Sequence, residues 1–233
     1  MNYRSHRVAG MCLGLLSGAL ITNAQLDTLS LSQITIITTT SYLGSAMPDM
    51  DEPNSYIGKT VKPLSKAIKK TMGHRGAFHS PFVLSLICFC LWITSLYIPD
   101  TDLNYSIVKL LLIFSIVSIE VKRSRFKRCI SLGVVGLMGL LVIGLDPTTM
   151  PLIELLRLSI LGISIGMGSH LLMDSLTVGG IPWLWPFTKK KFHFLSLKTN
   201  EHEQVAQLLF LLPTLCSLYF MYKPYIDQLI INK

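Results

Sequence analysis

Apolar blocks too long and too continuous for the core of a soluble domain alternate along this chain with short polar links. They run from Val8 to about Leu26, Thr28 to Met47, Pro81 to Ile98, Tyr105 to Val121, Ile130 to Leu145, Pro151 to about Asp174, and Val205 to Tyr222. A helix needs about 20 apolar residues to cross the roughly 30 Å hydrocarbon core of a bilayer, and most of these blocks approach that length. The sequence therefore reads as all-α: a polytopic helical membrane protein with about six to seven transmembrane helices. Charge supports this, since only 15% of the residues are charged against about 25% in soluble domains. The Thr28–Met47 block is rich in Ser and Thr and is better suited to packing among helices than to facing lipid.

The chain carries 21 Lys and Arg against 13 Asp and Glu, a net charge of +8. Basic clusters fall at 4–7, 59–75, 122–128 and 189–198, and the links near 27, 99–104 and 146–150 contain no Lys or Arg. Each cluster is separated from the next by two blocks, which is the positive-inside pattern and predicts a cytoplasmic N-terminus. The C-terminus then falls outside, against the weak counter-signal of Lys223 and Lys233. This placement accounts for the positive charge without nucleic acid and makes anionic membrane lipids the expected partners. Residues 1–233 form a single membrane-embedded helical domain, with 223–233 a short tail. Within it, 56–75 is a basic segment whose Val61, Leu64, Ala67 and Ile68 recur at helical spacing, as on a cytoplasmic membrane-surface helix. Gly10, Gly14 and Gly18 give the first block a small-residue face for close helix packing. A cleaved signal peptide ending near Thr22-Asn23-Ala24 is the competing reading of that block. The five cysteines lack CxxC spacing and read as buried thiols.

Ionisable residues then concentrate at one predicted boundary. Asp49, Asp51 and Glu52 sit between Pro48 and Pro53, and carboxylates crowded in this way favour a bound cation. His6 lies at the inner mouth of the first block, and His74 and His79 lead into the third. Counting about 1.5 Å per residue from Pro151 brings His170 to the same face, with Asp174 one turn on and on the same side of the helix. Taken singly, each has an ordinary reading: a solvated acidic turn, an interfacial histidine, a helix terminus. Their convergence points to function, because ionisable groups at intramembrane helix ends are costly. Asp100, Asp102 and Asp146, on the opposite side, have no histidine nearby. Glu154 and Arg157 are expected to pair, and Trp183 and Trp185 to anchor at the interface.

Three ordered motifs carry a family resemblance. They are Gly44-Ser45-x-x-Pro48-Asp49-x-Asp51-x-x-x-Ser55, then His74-Arg75-Gly76-x-x-His79-Ser80, then Ser169-His170-Leu171-Leu172-x-Asp174-x-Leu176-Thr177-x-x-Gly180 with Trp185-Pro186-Phe187. From His6 to about Glu203 the chain resembles the YdjM family. That resemblance implies a metal-dependent hydrolase of the bacterial inner membrane, distantly similar to zinc-dependent phospholipase C and P1-type nucleases. Ser5-His6 stands where the family has Thr-His, and Lys198-Thr199-Asn200-Glu201 departs from its closing motif, leaving Glu201 and Glu203 without an assigned part.

The expectation is a centre of one or two divalent ions, zinc or alternatively manganese, held by His6, Asp49 or Asp51, His74, His170 and Asp174. Arg75 would bind a substrate phosphate, and His79 would be a further ligand or the proton donor to the leaving group. A site at headgroup level points to a phosphoester of a lipid or lipid-linked substrate. Two other readings stay open. A transporter or binding protein could use the same residues for its cargo, although the predicted midplanes are mostly apolar, Gly, Ser and Thr. An ion could instead only clamp helix ends. Oligomeric state is not encoded legibly.

Overall fold

The computed structural model describes residues 3–23, 29–120, 144, 150–197, 212, 214–216 and 219. Helix α1 spans Tyr3–Asn23, α2 Leu31–Gly44, α3 Tyr56–Thr60, α4 Lys62–Met72, α5 Pro81–Ser95, α6 Asp102–Glu120 and α7 Leu152–Ser175. Single 3-10 turns at Pro48–Asp51 and Ala77–His79 shape the segment between α2 and α5. Among the described residues there is no strand, only isolated bridges from Thr177 to Leu197 and from Ile181 to Phe192. The all-helical expectation holds.

The span count is less clear-cut. Pro151 opens α7 in an extended conformation, with Glu154 in the favourable first turn. Its 24 residues reach about 36 Å. Among the described residues α7 is the one helix both long and apolar enough to cross a membrane. Helix α5 is apolar but only 15 residues long; it stops short of Ile98 because Pro99 disfavours helix in the residue before it. Helix α2, at 14 residues, reaches about 21 Å. The block at 205–222, the block at 130–145 and the basic cluster at 122–128 fall almost wholly outside the described residues.

Helix α2 fills the middle of the bundle, packed against both α1 and α7. Ser30 caps it and exchanges hydrogen bonds with Gln33, a capping box. Three of its threonine hydroxyls cost little to bury, because they bond carbonyls one turn back: Thr35 to Leu31 O, Thr38 to Ile34 O and Thr40 to Ile36 O, each at 2.7 Å. Ser41 Oγ donates across to Gly10 O at 2.6 Å. Glycine lets the three helices meet backbone to backbone. A Cβ on Gly10 would lie 2.6 Å from Ser45 Cβ, one on Gly44 2.8 Å from Ile163 Cα, and one on Gly166 2.7 Å from Ser45 N. This contact sets the end of α2, and the acidic turn after it, directly against the C-terminal half of α7.

Helix α5 lies on the other side of α7, with Ser164 Oγ 3.0 Å from Cys88 Sγ. Ile36, Tyr105, Met150, Leu152 and Leu155 form the apolar core near the start of α7. The outward faces of α5 and α6 leave Phe89, Trp92, Leu110, Leu111 and Phe114 exposed. Glu154 differs from expectation: it takes the side-chain amide of Gln33, and among the described residues no ion pair joins it to Arg157. Two polar residues near the ends of α2 and α7 thereby satisfy each other within the apolar bundle.

Candidate metal centre

Five segments distant in sequence deliver the site. His6 comes from the first turns of α1, Asp49 and Asp51 from the 3-10 turn after α2, and His74 and Arg75 from the loop after α4. His79 comes from the turn before α5, and His170 and Asp174 from the last turns of α7. Each is fixed locally. Ser55 Oγ donates to Asp49 O at 2.7 Å and accepts Gly58 N–H at 2.9 Å, tying the acidic turn to α3. Gly73, with φ 74°, ends α4 in a region that L side chains rarely adopt. Ser80 caps α5 by accepting Val83 N–H, placing His79 one residue before the cap.

His6, His79, His170, Asp51 and Asp174 are fully buried or within 1% of it. His6 Nε2 lies 3.4 Å from Asp174 Oδ1. His79 Nε2 lies 3.5 Å, and His170 Nε2 3.6 Å, from Asp174 Oδ2. His170 Nε2 is also 3.8 Å from Asp49 Oδ1. The rings of His6 and His170 stack with centroids 4.0 Å apart.

These separations are long for hydrogen bonds. His79 Nε2, His170 Nε2 and Asp174 Oδ2 are buried and have no hydrogen-bond partner, an arrangement that is costly unless something charged satisfies all three. With ligand bonds of about 2.0–2.1 Å, neighbouring ligands around a tetrahedral zinc stand about 3.3 Å apart, which is close to the spacing observed. Two overlapping sets of ligand atoms can hold a metal ion: His6 with His170 and Asp174, and Asp49 with His79 and His170. The donor set of imidazole and carboxylate suits a divalent transition ion.

The surrounding contacts select which ring nitrogen is available. His170 Nδ1 is 2.7 Å from Ser45 O. A carbonyl only accepts, so Nδ1 carries the hydrogen, and Nε2 of the neutral ring presents its lone pair. His79 Nδ1 lies 2.9 Å from Asp51 Oδ2, which leaves its Nε2 toward the cluster. Asp51 therefore stands behind the ligand sets. Its Oδ1 is 3.0 Å from His74 Nδ1, and its Oδ2 also accepts Arg75 N–H at 2.8 Å. Burial pushes the Asp51 carboxyl up, but hydrogen bonds from His74 and then His79, with the charges of both rings, outweigh it and hold it well below the usual carboxylate range. The same bond raises His74 above its ordinary value, with burial opposing.

Arg75 has φ 49°, a conformation that costs a non-glycine residue about 1–3 kcal/mol. The Asp51 bond to its N–H fixes it there. Its Nη2 donates to Asp174 Oδ1 at 3.0 Å and its Nη1 to Thr177 Oγ1 at 3.1 Å. Arg75 and His74 also line an open cavity of about 440 Å³ shared with Lys189, Lys191 and Trp185. Ser45, Thr177, Lys189 and Lys191 were given no part by the sequence. Ser45 and Thr177 lie within the motifs, but a backbone carbonyl and a hydroxyl carry no chemical signal of their own.

An all-helical bundle with a buried cluster of histidines and aspartates able to hold a metal ion is the class that fold and site define. The chain belongs to the YdjM inner membrane protein family, whose profile matches residues 1–229. It is also similar to the uncharacterized protein YvsG of Bacillus subtilis (strain 168), at 26% identity over 180 residues, covering 77% of this chain and 74% of that protein. No solved structure matches it.

Proposed function

We propose that the protein is a membrane-bound, metal-dependent hydrolase acting on a phosphoester of a lipid or lipid-linked substrate. The observation that carries this reading is the convergence of three buried, unpartnered atoms, His79 Nε2, His170 Nε2 and Asp174 Oδ2, beside a guanidinium and a basic cavity. His6, Asp49, His79, His170 and Asp174 hold one or two divalent ions, with zinc the best match to the donors. Bound there, the metal supplies Lewis acidity and lowers the pKa of a water.

The chain's own residues divide the remaining work. Asp51 orients His79, and Ser45 O orients His170. Arg75, which spends one N–H of Nη2 on Asp174 and one of Nη1 on Thr177, offers the second N–H of each to the phosphate at the edge of the cavity, where Lys189 and Lys191 add positive potential. Water adds to phosphorus as the ester P–O bond breaks. Its proton passes to Asp49, whose side chain at 15% exposure is the most accessible carboxylate of the cluster. The leaving oxygen takes a proton from the exposed ring of His74. His79 thus takes the ligand role, one of the two expected of it from sequence, His74 moves from ligand to proton donor, and Asp51 becomes a support for ligands.

In this reading the chain sits in the inner membrane with its N-terminus and this site at the cytoplasmic face, an orientation favoured by the distribution of Lys and Arg. The exposed apolar faces of α5 and α6 meet lipid. Metal analysis of the detergent-purified protein, paired with a phosphoester hydrolysis screen, tests the reading. Stoichiometric metal and metal-dependent hydrolysis are expected, with metal lost in His170→Ala and Asp174→Ala. Full metal with no hydrolysis of any phosphoester moves the assignment to a structural ion or a carrier. Equal metal in wild type and the double variant removes the ligand assignment.

A further inference from the structure

On the face of α7 away from α2, opposite His170 and Asp174, lies a second cavity of about 400 Å³ walled by α1, α5 and the loop after α7. Leu13, Leu84, Ile165, Leu172 and Trp183 form its sides and Gly168 its floor. Its size falls in the range of small-molecule sites, and its lining is mostly apolar, with Ser17, Ser85 and Ser169 interspersed. We propose that this groove holds a hydrocarbon chain of the substrate. The proposal rests on the phosphoesterase reading and narrows its substrate to a lipid with a chain long enough to enter.

Four observations support that occupant. First, the groove is built on the segments that carry the cluster: α1, which begins with His6, Pro81 two residues after His79, and the last turns of α7, where Gly168 and Leu172 occupy the face opposite His170. Second, Gly168 has no packing role of the kind Gly166 has, since a Cβ there would meet nothing within 4 Å. Glycine inside a helix costs about 1 kcal/mol relative to alanine, and here it leaves room for a guest. Third, Trp183 Nε1 is buried without a hydrogen-bond partner, a donor suited to an ester oxygen at the top of a chain. Fourth, the same loop borders both cavities. Trp183 lines the apolar one, its neighbours Pro182 and Trp185 line the basic one, and Trp185 lies 5.7 Å from Phe82 at the start of α5. An apolar slot and a basic pocket flanking one metal cluster match the two ends of an anionic phospholipid, in a family of the inner membrane.

The test uses the full chain in nanodiscs containing phosphatidylglycerol with a diazirine on one acyl chain. Photolabelling is expected at Leu84, Leu172 or Trp183 as well as on the open faces of α6 at Leu110 and Phe114. Gly168→Phe, which fills the floor, should lower groove labelling at least fivefold relative to the α6 positions. Leu84→Gln, which makes one wall polar without adding bulk, should lower it in the same direction and covers the case in which Gly168→Phe fails to fold. Hydrolysis supplies the second readout. The ratio of rates on long-chain to dibutyroyl phosphatidylglycerol should fall about tenfold in both variants. Labelling confined to α6, or groove labelling and a rate ratio that neither variant changes, overturns the slot. Groove labelling that the variants abolish, in a protein that hydrolyses neither lipid, leaves the lipid slot standing and overturns the phosphoesterase reading.

Discussion

Asp51 holds Arg75 by its backbone: Oδ2 accepts the Arg75 N–H at 2.8 Å, which leaves the guanidinium to Asp174 and Thr177. One carboxylate thus braces a strained residue and a ligand histidine together. Asp51→Asn replaces an acceptor with a donor at one of those contacts. Metal affinity is expected to fall about 10–100-fold although no ligand is removed. Isothermal titration of the chelator-stripped protein with zinc measures it. An unchanged affinity would show that Asp51 does not orient the cluster.

Arg75→Lys keeps the charge and loses the fork. An ammonium on a flexible stem cannot reproduce the paired bonds to Asp174 and Thr177, so metal content should persist while phosphoester turnover falls at least tenfold. Arg75→Ala should be no worse for metal and worse still for turnover. Metal lost in both variants would make Arg75 a structural brace for Asp174 alone.

Two glycines of α7, two positions apart, should respond oppositely to alanine. At Gly166 the new methyl meets Ser45 N at 2.7 Å and Ser41 C at 2.8 Å, backbone that cannot yield. Gly166→Ala should cost about 1–3 kcal/mol, the usual penalty of overpacking, and lower the thermal midpoint in detergent. Gly168→Ala meets open space and should change stability by less than about 1 kcal/mol.

Acid should strip the ion. The ligand histidines proposed must be neutral to bind, so loading releases protons and affinity falls as pH drops. Metal retained after gel filtration at pH 7.5 should be largely lost at pH 5, and a His6→Ala protein should lose it at a higher pH than wild type. A retention curve flat from pH 7.5 to 5 would argue against histidine ligation.

Topology is checked by labelling from each side of the membrane. Single cysteines at Lys66 on α4 and Asp102 at the start of α6 should react from opposite faces, in a background with the native cysteines replaced. Reaction from the same face would detach the positive-inside argument from this chain.

The sequence made the gathering of the site visible but not the division of labour within it. His170 and Asp174 are four apart on an apolar helix, and helical periodicity alone puts them together, as the 3.6 Å approach of Nε2 to Oδ2 bears out. Asp49 and Asp51 look equivalent in sequence. On a 3-10 turn of three residues per turn they point about 120° apart, so one turns to His170 and the other to His74, His79 and Arg75. That difference depends on the prolines bracketing the turn and on Ser55 capping behind it, which periodicity does not register. Span lengths were blurred for a related reason. An apolar block measures composition, whereas Pro99 and the caps at Ser30 and Ser80 decide where helix begins and stops. The Glu154–Gln33 bond joins residues 121 positions apart, and no local rule predicts it over the nearby Arg157.

The stacking of His6 on His170 carries a consequence for how the protein is made. The first ligand leaves the ribosome almost at once, and its ring partner follows only when most of the chain has been synthesised. No truncated or half-inserted chain lacking α7 can assemble either set of ligand atoms. On the proposed metal reading, loading therefore waits on the synthesis of α7, and no earlier stage of the chain can hold the ion.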